Sequence, residues 1–131
     1  MSAQAIVWIA RDLDYMLLVR RCFRQSGVDN PVVLVTSAEL GLSFLGMADN
    51  NQTPFVIVTE ISLPQMDGYE MVRQVKTDPR FVNIPVLLLT TGQPDIEQVS
   101  QFSAVHFIRK PGLEGIPALV NTVINRWLPP R

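Results

Sequence analysis

The stretch VIVTEISLPQMDGYEMVRQVK, residues 56–76, decides the fold. It opens on apolar residues without alternation, which is typical of a strand buried on both faces of a sheet. A turn containing Pro64 follows, and Met71 and Val75 then fall on one face of a helix. A buried strand that leads into an amphipathic helix is half of a βαβ unit, so the stretch predicts a parallel sheet.

Apolar runs of strand length recur on both sides of this unit. The five predicted strands are Ala5–Ala10, Val32–Val35, Phe55–Val58, Val86–Leu89 and Val105–Ile108. The helices predicted between and after them are Asp14–Ser26, a helix capped by Thr36 or Ser37, Asp67–Lys76, Asp95–Phe102 and Leu113–Leu128. Strands that alternate with helices predict an α/β fold with right-handed crossovers and helices on both faces of the sheet.

The composition predicts one domain that spans residues 1–131, since this length is ordinary for a single domain and 47% of the residues are hydrophobic. The formal net charge is -1 and the basic residues are dispersed, which predicts no nucleic-acid partner. Cys22 is the single cysteine, so no intrachain disulfide forms and a reducing compartment is indicated. The N-terminus has the pattern of neither a signal peptide nor a membrane span. We therefore predict a cytoplasmic protein without a membrane partner.

Polar side chains follow four of the predicted strands, where ligands bind in parallel sheets. They are Arg11 and Asp12 after the first strand, Thr59 and Glu60 after the third, Thr90 and Thr91 after the fourth, and Arg109 and Lys110 after the fifth. Carboxylates, hydroxyls and cations are therefore expected to meet at one edge of the sheet.

Three segments carry a family resemblance: residues 56–76, IPVLLLTT at 84–91 and HFIRKP at 106–111. In order and spacing they resemble the response-regulator receiver family of two-component signalling. The resemblance implies a flavodoxin-like (βα)5 fold with strand order 2-1-3-4-5. It places Glu60 at the phosphoacceptor position, Thr90 and Lys110 at the phosphate-contacting positions, and Phe107 at the aromatic switch position. It also implies a cis peptide bond before Pro111.

Two departures from the family pattern affect the chemistry. The family's phosphoacceptor is an aspartate, and the carboxylate of Glu60 reaches about 1.5 Å further because of one extra methylene. The family's metal-binding acidic pair is replaced by Ala10 and Arg11, and Asp12 falls one place later. Magnesium requires oxygen ligands in near-octahedral geometry, which alanine and arginine side chains do not provide.

We therefore predict a receiver-like protein-interaction module that is not an enzyme, is not phosphorylated and holds no cofactor. Its expected partners are signalling proteins, such as a histidine kinase or a downstream target. One hypothesis is that Arg11 takes the place of the metal and pairs with Glu60, while Lys110 also approaches Glu60. The alternative is that Arg11 points to solvent and Glu60 bonds only Lys110.

Two other functions stay open at this point. In the first, the protein is a working response regulator that is phosphorylated with Mg²⁺ held by Asp12 and Glu60. In the second, it is a flavodoxin-like small-ligand binder, which the absence of a glycine-rich loop after the first strand disfavours. In the receiver family, the face of the fourth helix, fifth strand and fifth helix binds partners or dimerises, so a homodimer through that face is a further expectation.

Overall fold

A computed structural model describes residues 4–47 and 53–128, so both ends of the predicted domain, residues 1–3 and 129–131, lie outside the described residues. The strands are β1 (Ile6–Ile9), β2 (Val32–Val35), β3 (Val56–Glu60), β4 (Val86–Thr90) and β5 (Val105–Arg109). The α-helices are α1 (Leu13–Gln25), α2 (Ala38–Met47), α3 (Gly68–Val75) and α4 (Ile116–Trp127). Two short 3-10 helices cover Ile96–Val99 and Leu113–Gly115.

The five strands form one parallel sheet in the order β2-β1-β3-β4-β5, which confirms the predicted topology. Ile9 of β1 pairs with Thr59 of β3, and Glu60 pairs with Leu89 of β4. This register brings the carboxyl ends of the three central strands to the same edge of the sheet. The last residue of β3, Glu60, therefore lies at the centre of that edge.

The sheet separates two hydrophobic cores, as expected when both faces are covered by helices. On the side of α1 and α4, Trp8 is fully buried and packs edge-to-face on Phe23, with ring centroids 6.1 Å apart. On the side of α2 and α3, Ile57 and Leu88 pack against Met71. Every residue of β1, β3 and β4 is buried, which explains the continuous apolar runs in the sequence.

The fourth predicted helix, Asp95–Phe102, is wrong in extent and type, because the structure has only the 3-10 turn Ile96–Val99 there. The segment offers a thin apolar face: Val99 is buried, but Ile96 is 58% exposed. A short helix gains most of its stability from packing an apolar face, and this one has little to pack. The last predicted helix also begins later, since Leu113–Gly115 is 3-10 and α4 starts at Ile116.

Side-chain caps fix where three helices begin. A carboxylate oxygen of Asp67 accepts a hydrogen bond from the Glu70 backbone N–H at 2.9 Å, so Asp67 is the N-cap of α3. Of the two candidates for α2, Ser37 is the cap, and its hydroxyl oxygen accepts from the Leu40 N–H at 3.1 Å. Asp12 caps α1 in the same way. These caps set the starts of the helices beside the carboxyl edge of the sheet.

Lys76, directly after α3, is a buried lysine that the sequence analysis did not single out; only 7% of it is exposed. Its ammonium donates hydrogen bonds to the backbone carbonyls of Val82 at 3.0 Å and Ile84 at 2.7 Å, with a longer contact to Phe81 at 3.4 Å. The lysine thereby ties the loop between α3 and β4 to the end of the helix. Burial lowers the pKa of Lys76 to about 8 from its ordinary 10.5.

Replacing this lysine by Lys76→Met should lower the free energy of unfolding by about 1–3 kcal/mol, because three buried or partly buried carbonyls lose their donor. The pH dependence should change as well. Between the folded pKa of about 8 and the unfolded value of 10.5, the unfolded chain binds more protons, so wild-type stability rises with pH in that window. Urea unfolding at several pH values should show this rise in the wild type and not in Lys76→Met. Parallel curves for the two proteins would contradict the assignment.

Candidate functional site

Glu60 ends β3 with a carboxylate that the chain itself holds at both oxygens. The residue is 8% exposed. Its Oε1 accepts a hydrogen bond from the Arg11 backbone N–H at 3.1 Å, and its Oε2 forms an ion pair with the Lys110 ammonium. A carboxylate with little solvent access is stable when such partners compensate its lost hydration. Glu60 therefore joins the ends of β1 and β5 through β3.

Lys110 is held from several sides. Its backbone N–H donates to the Thr90 carbonyl at 2.8 Å, which extends the pairing of β4 and β5. Its ammonium lies 4.6 Å from the centroid of the Tyr15 ring, a cation–π distance. The Tyr15 hydroxyl donates in turn to the Pro111 carbonyl at 2.9 Å, so α1 is tied to the segment after β5. Together these contacts hold the ammonium between the Glu60 carboxylate and an aromatic face.

The surroundings of the Tyr15 hydroxyl shift its pKa upward. Burial raises the pKa of Tyr15 to about 12, and the negative charge of Glu60 acts in the same direction. Tyr15 therefore stays protonated and keeps donating its hydrogen bond throughout the physiological pH range. Tyr15 was not among the predicted site residues, although a tyrosine on the buried face of a helix carries a hydroxyl that needs a hydrogen-bond partner.

The hypothesis of an ion pair between the Arg11 side chain and Glu60 is wrong. Among the residues that the structure describes, the salt bridge of Glu60 is with Lys110, and the Arg11 side chain is exposed. Arg11 does contact the carboxylate, but through its backbone N–H. The alternative is right that Glu60 pairs with Lys110 and that the Arg11 side chain is exposed. It did not include the hydrogen bond from the Arg11 backbone N–H. The Arg11 guanidinium stays hydrated in this arrangement, because the Arg11 backbone N–H and the Lys110 ammonium already bind the Glu60 carboxylate.

The donor set beside Glu60 does not fit a magnesium ion. Ala10 is 1% exposed and packs in the core on the α1 and α4 side, and the Arg11 side chain offers no oxygen. Asp12 uses Oδ1 to accept the Tyr15 backbone N–H at 3.2 Å as the cap of α1. Within the described ranges, no group of three or more histidine, cysteine or acidic residues is placed to hold a metal ion. Magnesium prefers several oxygen ligands in octahedral geometry, which these residues do not form.

Two cavities open on Glu60. One, of about 490 Å³, is lined by Arg11, Asp12, Glu60, Ser62, Thr91 and Lys110. The other, of about 300 Å³, lies between the loops after β3 and β4, with Thr90 and Tyr69 in its wall. The structure therefore brings most of the side chains that were expected to meet after the strands around two adjoining cavities: Arg11, Asp12, Glu60, Thr90, Thr91 and Lys110. Thr59, which is fully buried, and Arg109 line neither cavity.

Thr90, which the resemblance places at a phosphate-contacting position, and Phe107, at the aromatic switch position, lie on neighbouring strands. Thr90 is 8% exposed at the end of β4. Phe107 pairs with Leu88 across β4 and β5, is partly buried, and packs on the core of the α2 and α3 side. The peptide bond before Pro111 is trans, so the expected cis bond is a further correction.

No helix among residues 4–47 and 53–128 combines the length and apolar character that crossing a bilayer requires.

Comparison with known proteins identifies the lineage. The family model of the response regulator receiver domain matches residues 11–121. The response regulator Rcp1 of Synechocystis is 23% identical over 117 residues, which cover 85% of this chain and 80% of Rcp1. The chemotaxis protein CheY1 of Helicobacter pylori is 30% identical over 79 residues, or 59% of this chain and 64% of CheY1.

Solved structures show the same fold. The phosphorylated cyanobacterial phytochrome response regulator RcpA superposes with a TM-score of 0.84 at 24% identity, over 97% of this chain and 95% of RcpA. The Mn²⁺-bound form of Rcp1 gives a TM-score of 0.80 at 21% identity, over 95% of this chain and 94% of Rcp1. Because the family match extends over most of the sequence and the strand order is the same, the chain belongs to the response regulator receiver domain family.

Proposed function

We propose that this receiver domain is a non-enzymatic interaction module of cytoplasmic two-component signalling that does not undergo phosphorylation. The observation that carries the proposal is the state of Glu60. One carboxylate oxygen accepts the Arg11 backbone N–H and the other is paired with Lys110. The residue at the phosphoacceptor position is thus already engaged by groups of the chain.

Phosphoryl transfer depends on positioning and on neutralising the charge of the transferred group. A nucleophilic carboxylate must approach the phosphorus within about 3–3.5 Å, and the longer Glu60 side chain changes that position. The charge is normally neutralised by a metal ion, and the Ala10 and Arg11 positions supply no metal ligand. Both requirements of the reaction are therefore unmet at the same edge of the sheet.

The Glu60–Lys110 ion pair partly replaces the charges that a phosphoryl group and a metal ion would bring to this site. A glutamate carries about one negative charge, whereas a phosphoryl group carries about 1.5 to 2 at neutral pH. The pair and the Arg11 hydrogen bond connect β1, β3 and β5 without any added group. The module then presents one conformation to its partners, and regulation comes from which partner is present.

The surface of β5 and α4 is our candidate for binding a signalling partner, such as a histidine kinase or a downstream protein. His106 packs on Trp127 with ring centroids 5.4 Å apart, and the Arg126 guanidinium lies 4.7 Å from the same indole ring. Tryptophan and arginine are enriched among the residues that dominate interface energies. The homodimer expected through this face stays a prediction. In the structure, the predicted fourth helix that was to form part of this face is only the 3-10 turn Ile96–Val99.

Intact-mass spectrometry after incubation with acetyl phosphate and Mg²⁺ tests the proposal. We expect no mass increase on the wild-type chain, while a receiver that retains the aspartate and the acidic pair gains one phosphoryl group in the same buffer. A stable phosphoryl adduct that maps to Glu60 would overturn the proposal.

The first alternative is a working response regulator with Mg²⁺ on Asp12 and Glu60. The observation in its favour is that both carboxylates line the same cavity with Lys110. A calorimetric Mg²⁺ titration distinguishes the two functions: Mg²⁺ binding by the wild type that is lost in Asp12→Asn would support the alternative.

The second alternative, a flavodoxin-like small-ligand binder, is supported only by the cavity of about 300 Å³, at the lower limit of ligand pockets. An absorbance spectrum of the purified protein tests it for coloured cofactors such as flavin.

A further inference from the structure

The outer face of α2 lacks the charged residues that a solvated helix face normally carries. The helix sequence is AELGLSFLGM, with Glu39 as its single charged residue. Leu40 is 53% exposed and Met47 is 82% exposed. Ser43 and Gly46 are the small exposed residues between and beside them. This face therefore exposes apolar surface next to small residues that allow another backbone to approach.

The spacing on this face is symmetrical about Ser43. Leu40 lies three residues before Ser43, and Gly46 lies three residues after it. A side chain built on Gly46 would meet no atom within 4 Å, so the space above this glycine is open. Beside Gly46 lies a cavity of about 100 Å³. Its wall contains the apolar residues Leu42, Leu45, Val75 and Phe81 and the polar residues Gln74, Asp78 and Arg80. The helix thus carries a projecting side chain at one end and a recess at the other.

We propose that α2 packs on α2 of a second copy of this chain, antiparallel and with the two-fold axis at Ser43. In this arrangement Leu40 of each copy lies over Gly46 of the other copy and reaches toward the cavity beside it. Such an interface is isologous, since the same residues contribute from both sides. Small residues near the crossing point let the two helices approach closely, as ridge-and-groove packing requires.

A second copy fits this face better than a charged partner does. The helix carries one charged residue, Glu39, and the two charged residues beside the recess, Asp78 and Arg80, pair with each other at 2.8 Å. The surface therefore has no large excess of one charge that would select a strongly basic or acidic protein. The projection and the recess are equally distant from Ser43, so the face complements itself. Antiparallel helices also place opposite ends of their dipoles side by side. Because one helix pair buries less than the ~1,200–2,000 Å² of a stable interface, we infer a weak dimer that depends on concentration.

Sedimentation velocity over a wide concentration range tests the dimer and its register. We expect the wild type to shift toward dimer as concentration rises. Leu40→Lys and Gly46→Glu should each weaken association by about tenfold or more. The double variant should recover most of the lost affinity, because the antiparallel register places the introduced lysine against the introduced glutamate. Positions 40 and 46 are not i,i+3 or i,i+4 neighbours, so the two charges do not pair within one helix.

Two matched controls change an exposed apolar residue elsewhere. Leu13→Lys on α1, where the leucine is 48% exposed, should leave association unchanged. Ile96→Lys, at a residue that is 58% exposed, tests the face of β5 and α4. Loss of the dimer in Ile96→Lys, a wild type that stays monomeric at every concentration, or a double variant without recovery would each overturn the proposal. Circular dichroism confirms that each variant is folded before it is compared.

Discussion

The triple variant Ala10→Asp, Arg11→Asp and Glu60→Asp is expected to bind Mg²⁺ and to accept a phosphoryl group from acetyl phosphate, whereas we expect the wild type to do neither. The substitutions restore the acidic pair after β1 and shorten the carboxylate at the end of β3. Lys110 and Thr90 already stand at the same edge of the sheet and need no change. Affinity for a hard cation depends on the number and charge of its oxygen ligands, so the triple variant should bind Mg²⁺ at least about tenfold more tightly than any residual binding by the wild type. Calorimetry measures the metal and intact mass measures the phosphoryl group.

Partial variants separate the two deficiencies. Glu60→Asp alone should stay unphosphorylated, because the nucleophile is then correct but no metal neutralises the transferred charge. The pair Ala10→Asp and Arg11→Asp should bind Mg²⁺ but form little adduct on Glu60, because the longer carboxylate remains. Full phosphorylation of Glu60→Asp alone would show that the acidic pair is dispensable, against our interpretation. Ala10 is 1% exposed, so unfolding of each variant is measured with and without Mg²⁺ to confirm that it folds.

The sequence predicted the sheet because β1, β3 and β4 are buried on both faces, and continuous apolar runs are then unavoidable. It failed at residues 95–102, where Ile96 and Val99 suggested a helical face but only Val99 is buried. A short segment with two or three apolar residues is ambiguous, since tertiary packing and not propensity decides whether it becomes a helix. The order of the strands came from the family resemblance and not from the apolar pattern.

At the site, the sequence predicted which residues meet but not which atoms touch. Glu60 and Lys110 follow strands β3 and β5, so their proximity follows from the parallel topology. Arg11 was expected to contact Glu60 through its guanidinium. A sequence shows which side chains are charged, but it does not show the direction in which a backbone N–H points. The contact through its N–H depends on how the chain turns after β1. Tyr15 was missed for the same reason, since its bond to the Pro111 carbonyl joins residues far apart in the chain.

Lys110→Met is expected to lower the free energy of unfolding by about 3 kcal/mol, because it leaves the Glu60 carboxylate with little solvent and without its cation. The side chains of Lys110 and Glu60 are 20% and 10% exposed, which keeps the loss toward the lower end for buried pairs. For a domain of this size the change corresponds to a Tm lower by about 10 °C. Glu60→Gln should cost less, since the amide oxygen still accepts the Arg11 N–H and Lys110 keeps the Tyr15 ring. Thermal and urea unfolding measure both.

A double-mutant cycle shows whether Glu60 and Lys110 act as a pair. The variant Glu60→Gln with Lys110→Met should be more stable than the sum of the single losses predicts, with a coupling free energy of about 2 kcal/mol. Arg11→Ala is the matched control, because it removes a guanidinium and keeps the backbone N–H that Glu60 uses. It should change stability by about 0.5 kcal/mol or less. A loss as large as that of Lys110→Met would assign the ion pair to Arg11, and a coupling near zero would mean that the pair adds nothing to the fold. A strong coupling between Glu60 and Lys110, with little effect of Arg11→Ala, would show that this ion pair stabilises the fold at the phosphoacceptor position.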